Sequence, residues 1–194
     1  ASDEPTIWAL VDPTTGEIVA MAARPGFDPN LFNRETNPGV FGNPMVESVF
    51  EMGSIIKPLT VAAGLDAGVI TEATTYNDTG CVTLDTKKFC NFDGRARGVV
   101  AIQEILSQSL NVGAAFVAQK LGPERQREYF LERYKLGEET GIDLPGEIRG
   151  LTQNLDEGPS VEYATAAFGQ GIALTPIETV RALAALGNGG FLVQ

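Results

Sequence analysis

Ser54-Ile55-Ile56-Lys57-Pro58 sets a hydroxyl and an amine one helical turn apart, at the start of an apolar segment. Proline lacks an N–H and its ring clashes with the carbonyl four residues back, so Pro58 belongs to a first turn. The helix is therefore expected to begin near Gly53 or Ser54, and Gly68 is expected to end it. Residues three apart share a helix face, which brings Lys57 within reach of Ser54. Val61 to Leu65 are almost wholly apolar, which predicts a buried helix, and a buried lysine needs a reason. Burial lowers an amine's pKa until it can take a hydroxyl proton, and a serine beside such an amine is an activated nucleophile. By spacing alone the ordinary reading is a helix cap followed by a solvated lysine, so structural context has to decide. A second polar pair, Ser109 and Asn111, interrupts another apolar stretch.

Composition narrows the chemistry. The 194 residues are 43% hydrophobic, enough for one domain with a core or a large piece of a bigger one. The absence of histidine removes Ser-His-Asp and Cys-His catalysis and the usual zinc and haem ligand sets. Lysine, carboxylate or tyrosine must then serve as base. A net charge of −11 repels phosphate backbones, so nucleic acid is not an expected partner. No apolar run approaches the length of about 18 residues that a membrane span needs, and no signal peptide is recognisable. Cys81 and Cys90 bracket a short polar loop, followed by turn chemistry at Asn91, Asp93 and Gly94. They read either as a bridged hairpin or as two separate buried thiols.

Along the chain, Thr6 to Asp12 reads as a strand, Pro13 to Gly16 as a turn and Glu17 to Ala23 as the antiparallel partner. A long irregular stretch rich in proline leads to the Ser54 helix. Thr71 to Gly98 is polar and expected to hold short strands. Val99 to Ser107 and Val112 to Leu121 read as helical segments around Ser109-Leu110-Asn111, where Ser109 also fits an N-cap. Gly122-Pro123 opens a further helix to about Tyr134, Gly137 to Thr152 is a loop, and Ser160 to Phe168 is helical. Thr175, Pro176 and Glu178 spell a capping box for a last helix that stops at Gly187-Asn188-Gly189-Gly190. Phe191 to Val193 is expected to begin a strand. With so few strands the sheet looks incomplete, and the polypeptide is expected to continue.

Three ordered motifs now stand together: Glu51-Met52-Gly53-Ser54-Ile55-Ile56-Lys57-Pro58, Ser109-Leu110-Asn111, and Gly169-Gln170-Gly171 with Leu174-Thr175-Pro176. They resemble the transpeptidase domain of penicillin-binding proteins. Ala23-Arg24-Pro25-Gly26-Phe27-Asp28-Pro29-Asn30 is similar to the class B, monofunctional branch. The resemblance implies an α+β, β-lactamase/transpeptidase-like fold, a sheet flanked by helices with an all-helical lobe. It implies a serine D,D-transpeptidase that cross-links peptidoglycan stem peptides and is acylated by β-lactams. Ser54 would be the nucleophile and Lys57 the general base, Ser109 would relay a proton to the leaving amine, and Asn111 would orient the substrate amide and Lys57. Gly169, Gln170 and Gly171 would lie near substrate; as a dinucleotide fingerprint they fail, because Leu174 stands where the third glycine belongs. The implied location is the outer, periplasmic face of the cytoplasmic membrane, through an N-terminal anchor. The implied partner is a lipid-II glycosyltransferase, and no metal or organic cofactor is implied.

One departure is serious. The family's third motif, Lys-Thr/Ser-Gly on a strand after the last helix, occurs nowhere in the 194 residues. Residues 1–194 are therefore expected to be a partial transpeptidase domain without its C-terminal strands and helix, and a poor catalyst alone. The alternatives are a serine β-lactamase or β-lactam sensor, and a catalytically dead scaffold module of cell-wall synthesis. Against the first, Glu147-Ile148-Arg149-Gly150-Leu151 does not fit the deacylating Glu-x-x-Leu-Asn pattern.

Overall fold

Strands β1 (Thr6–Val11) and β2 (Ile18–Arg24) form the expected antiparallel hairpin, with Thr6 opposite Arg24 and Leu10 opposite Ala20. The computed structural model describes residues 6–193. The proline-rich stretch that follows folds into short 3₁₀ turns at Pro29–Arg34 and Pro38–Phe41 and one turn of helix, α1 (Pro44–Glu47). Each opens with a proline after an Asp or Asn, whose side chain accepts the N–H two residues on. This is cap chemistry that needs no tertiary partner.

A 3₁₀ turn, Gly53–Ile56, runs into α2 (Lys57–Asp66). Gly68, at φ +66°, ends the helix as expected. The polar segment after it holds β3 (Thr75–Asp78), β4 (Cys81–Leu84) and β5 (Lys87–Cys90). β4 and β5 pair in a hairpin with Cys81 directly opposite Cys90, and the two are disulfide-bonded. Val99 to Ser107 is not one helix. Its first half is strand β6 (Gly98–Ala101), paired with β3, and only α3 (Glu104–Ser107) is helical. Val99 and Val100 are stiff β-branched residues, and the pairing lets Val99 face solvent while Val100 packs on the core, a period of two that a helix cannot give.

Helix α4 (Asn111–Arg127) breaks at Gly122, where φ is +75° and ψ 164°, so the chain restarts at Pro123 as the sequence predicts. It ends in a π-helical turn, Glu128–Arg133. Then come α5 (Asn154–Glu157), α6 (Ser160–Ala166) and α7 (Pro176–Gly187), the last with its capping box formed. Glu178 is fully buried, and beyond the box its Oε1 accepts the N–H of Gly137 at 2.9 Å and of Gly150 at 3.3 Å. Burial raises its pKa against the pull of those donors. Phe191 to Val193 forms no strand. The Asn188 side chain accepts the Phe191 N–H and donates to the Phe191 carbonyl, so both groups a ladder would need are occupied.

The described residues thus make an α+β fold with three separate two-stranded antiparallel sheets. The main core lies where α2, α4 and α6 meet, around Leu59, Ala63, Ala114, Val117, Phe130 and Phe168. Each large apolar side chain buried there contributes roughly 1.5–3 kcal/mol. Gly64 lets α2 and α4 approach, since a Cβ there would meet the Val117 side chain at 2.6 Å. A smaller core of Met45, Val46 and Ile177 seats the first hairpin through Ile7, Ala9, Ile18 and Met21. No described helix is long and apolar enough to cross a membrane.

Candidate active site

Lys57 is 1% exposed, and its Nζ lies 2.9 Å from Ser54 Oγ, 2.9 Å from Ser109 Oγ and 2.6 Å from the Ser109 carbonyl oxygen. Ser109 Oγ in turn donates to Ser54 Oγ at 2.8 Å, closing a triangle of two hydroxyls and one amine. No carboxylate pairs with Lys57 among the described residues. Desolvation alone lowers its pKa from 10.5 to about 8. A charge buried without a counter-ion gives up its proton more readily, so near neutral pH an appreciable fraction of this amine carries a free lone pair. The neutral amine then accepts the Ser54 proton and donates to the Ser109 oxygens, while the Ser109 hydroxyl donates to Ser54. That ring uses every proton once.

Three ties hold Ser54 in place, all to one distant loop. Phe50 and Leu174 exchange N–H···O bonds of 2.9 Å in both directions. Gly53 donates its N–H to the Gly169 carbonyl at 3.1 Å, and Glu51 Oε1 accepts the Gly171 N–H at 2.8 Å. Gly53 turns into the 3₁₀ segment at φ +59°. Gly169 packs so closely that a Cβ would collide with the Gly53 backbone, which is why glycine stands there.

Ser109 does not cap α4. The cap position is Leu110, whose side chain makes no capping bond. The orphan N–H of Val112 is instead taken by Asn91 Oδ1 at 3.1 Å, from the loop after β5. Asn91 is held by the fully buried Asp78, whose carboxylate accepts from Asn91 Nδ2 at 2.9 and 3.0 Å. Ser109 itself sits at φ +55°. Asn111 donates to the Cys90 carbonyl at 2.9 Å and makes no hydrogen bond to Lys57 among the described residues.

These elements enclose a cleft of about 500 Å³, lined by Ser54, Ser109, Asn111, Phe168 and Gln170 and by the segment from Lys88 to Phe92. No aspartate or glutamate lines it. The expected residues thus converge: Ser54, Lys57 and Ser109 in direct contact, Asn111 and Gln170 on the same cleft, and Gly169 and Gly171 as the backbone that braces the serine. The disulfide hairpin lines the same cleft beside the start of α4. Asp78, Asn91 and Glu51 were not singled out from the sequence, because each acts across a long separation and leaves no local pattern.

A model of the penicillin binding protein transpeptidase domain matches residues 6–194. The chain belongs to that family. It is 35% identical over 188 residues to stage V sporulation protein D of Bacillus subtilis, covering 96% of this chain and 29% of that protein. It is 31% identical over 186 residues to peptidoglycan D,D-transpeptidase FtsI of Escherichia coli, covering 93% and 30%. Among solved structures it superposes with a TM-score of 0.86 on penicillin binding protein 3 of Mycobacterium tuberculosis complexed with aztreonam, at 29% identity, covering 97% of this chain and 42% of that one. The chain therefore spans about three tenths of the length of these curated relatives. The transpeptidase fold is α+β, as expected.

Proposed function

We propose that this chain is the nucleophile-bearing part of a peptidoglycan D,D-transpeptidase. The observation that carries the reading is the buried, unpaired Lys57 in contact with both serine hydroxyls. Ser54 Oγ attacks the carbonyl of a D-Ala-D-Ala terminus as its proton passes to Lys57. The tetrahedral intermediate collapses when the Ser109 hydroxyl protonates the leaving amine and is itself reprotonated from Lys57, so D-alanine departs and the acyl-enzyme remains. An amine of a second stem peptide then attacks the ester, with the same groups carrying protons the other way. In a β-lactam the leaving amine stays tethered to the acyl group and blocks that second step. Asn111 supports the acyl donor from α4, and Gly169, Gln170 and Gly171 support it from the opposite loop.

The Lys-Thr/Ser-Gly element has no counterpart in these residues, and we assign it, with the remaining strands, to the rest of a protein of the relatives' size. Residues 1–194 are on this reading one part of the catalytic domain. The full protein is assigned to the outer face of the cytoplasmic membrane, working with a lipid-II glycosyltransferase. A relative's name as FtsI transpeptidase and a neighbour described as a peptidoglycan glycosyltransferase support the envelope setting.

The test is to incubate the full-length protein and its Ser54→Ala variant with a fluorescent penicillin. Covalent label on the parent alone is expected, and equal labelling of both refutes the assignment. The β-lactamase alternative needs a second base to activate water, and the lack of any carboxylate lining the cleft argues against it. Slow release of the label is expected; rapid turnover of a chromogenic cephalosporin would reverse that choice.

A further inference from the structure

The cleft that holds Ser54 also carries a cation with no assigned task. Lys88 lines the cleft, is exposed, and its side chain makes no hydrogen bond or ion pair among the described residues. Its neighbour Lys87 is paired with Glu162 at 2.9 Å, which leaves Lys88 as the unpaired lysine of β5 among the described residues. In a chain of net charge −11, an acid-free cleft with one unpaired lysine is a local reversal of sign. Such a reversal draws and orients an anionic group. Beside it Phe92 lines the same cleft with its side chain wholly bare, at 103% of the reference exposure. The backbone beneath both is fixed: Cys90 is bridged to Cys81, and Asn91 is held by Asp78 and by the start of α4. A rigid platform bearing one charge and one apolar plate is suited to recognition, because little ordering remains to be done on binding.

We propose that Lys88 and Phe92 select the acyl donor: Lys88 pairs with a carboxylate on the donor peptide upstream of the scissile bond, and Phe92 covers the apolar part of that peptide. The proposal rests on the acyl-transfer reading above and adds to it a preference for an acidic donor. Lysine suits this task as a mobile point charge that meets a carboxylate without a fixed angle.

The test uses the full-length protein and two synthetic peptide thioesters, alike except that a side-chain carboxylate upstream of the reacting carbonyl is free in one and a carboxamide in the other. Acylation is followed as thiol release, and saturation with a fluorescent penicillin counts reactive Ser54 in every variant. The wild type is expected to favour the carboxylate donor by about five- to tenfold in kcat/KM, the range of a partly exposed charge pair. Lys88→Ala should remove the preference, Lys88→Glu invert it, and Lys88→Arg retain it. Phe92→Ala should raise KM for both donors alike and leave the preference ratio at its wild-type value. A preference ratio that stays at its wild-type value in Lys88→Glu, with Ser54 still fully labelled, overturns the proposal and leaves acyl transfer standing. Absence of penicillin label on wild-type Ser54 removes the underlying reading instead.

Discussion

Ser109 meets Lys57 twice, through its hydroxyl at 2.9 Å and through its own carbonyl at 2.6 Å. Both oxygens of the residue therefore face one buried amine. Ser109 also sits in the left-handed region at φ +55°, which costs a residue with a Cβ roughly 1–2 kcal/mol.

Replacing Ser109 by glycine should therefore touch chemistry far more than stability. Ser109→Gly relieves the backbone but loses the hydroxyl's bonds to Lys57 and Ser54, so the two effects, each about 1 kcal/mol, are expected to nearly cancel. It also removes the hydroxyl proposed as the proton relay, for which a loss of about a hundredfold in acylation rate is expected. Urea unfolding and penicillin acylation kinetics on the same preparation check both. A Gly variant that loses several kcal/mol would show that the hydroxyl's bonds outweigh the strain of the left-handed turn.

The pH dependence of acylation follows from Lys57. If the neutral amine is the base, the rate should rise tenfold per pH unit and level off above an apparent pKa of about 8. A penicillin of constant charge across that range is the suitable acylating agent. A flat profile would exclude the amine as the proton acceptor.

The same shift makes a stability statement. The folded amine loses its proton at about 8, against 10.5 in the ordinary state. Between those values the unfolded chain binds more protons, so stability rises with pH across that window, and below it the full desolvation penalty is present. Lys57→Met removes the penalty and is expected to gain roughly 1–3 kcal/mol at about pH 7. The gain should shrink as pH climbs towards 10.5. Denaturant titrations of both proteins at two pH values give the difference directly.

Asn91→Ala should cost more than a surface change. It leaves the Asp78 carboxylate buried with only the Gly80 N–H, at 3.1 Å, and frees the Val112 N–H. A loss of about 2–4 kcal/mol is expected, with hydrogen exchange rising at the first turn of α4. Protection unchanged at Val112 would mean that water replaces the side chain without loss.

How much of this was legible beforehand depends on the range of the interactions. Pro58, Gly68, Gly122 and the Thr175–Glu178 box act within a turn or two, and the helices begin, break or end where those residues predict. Val99 to Ser107 was misread because two valines and an isoleucine satisfy either period over so short a run. Only the partner strand, Thr75–Asp78, decides between them. Phe191 to Val193 pairs with no strand among the described residues, where the Asn188 side chain bonds the Phe191 N–H and carbonyl locally. The Ser54–Lys57 pair was readable from helical spacing. Its contact with Ser109, 52 residues away, rested on family resemblance, and the Asp78–Asn91 support was not visible at all.

The bracing of Ser54 by the Gly169–Leu174 loop has a consequence for how the molecule is made. Glu51 finds its partner Gly171 120 positions later, so a ribosome must finish nearly all of this segment before the serine is locked in its reactive pose. Contacts of such long range form late and slowly. On the proposed acyl-transfer reading, the nascent polypeptide should therefore stay unreactive towards penicillin at least until that loop has closed on Gly53.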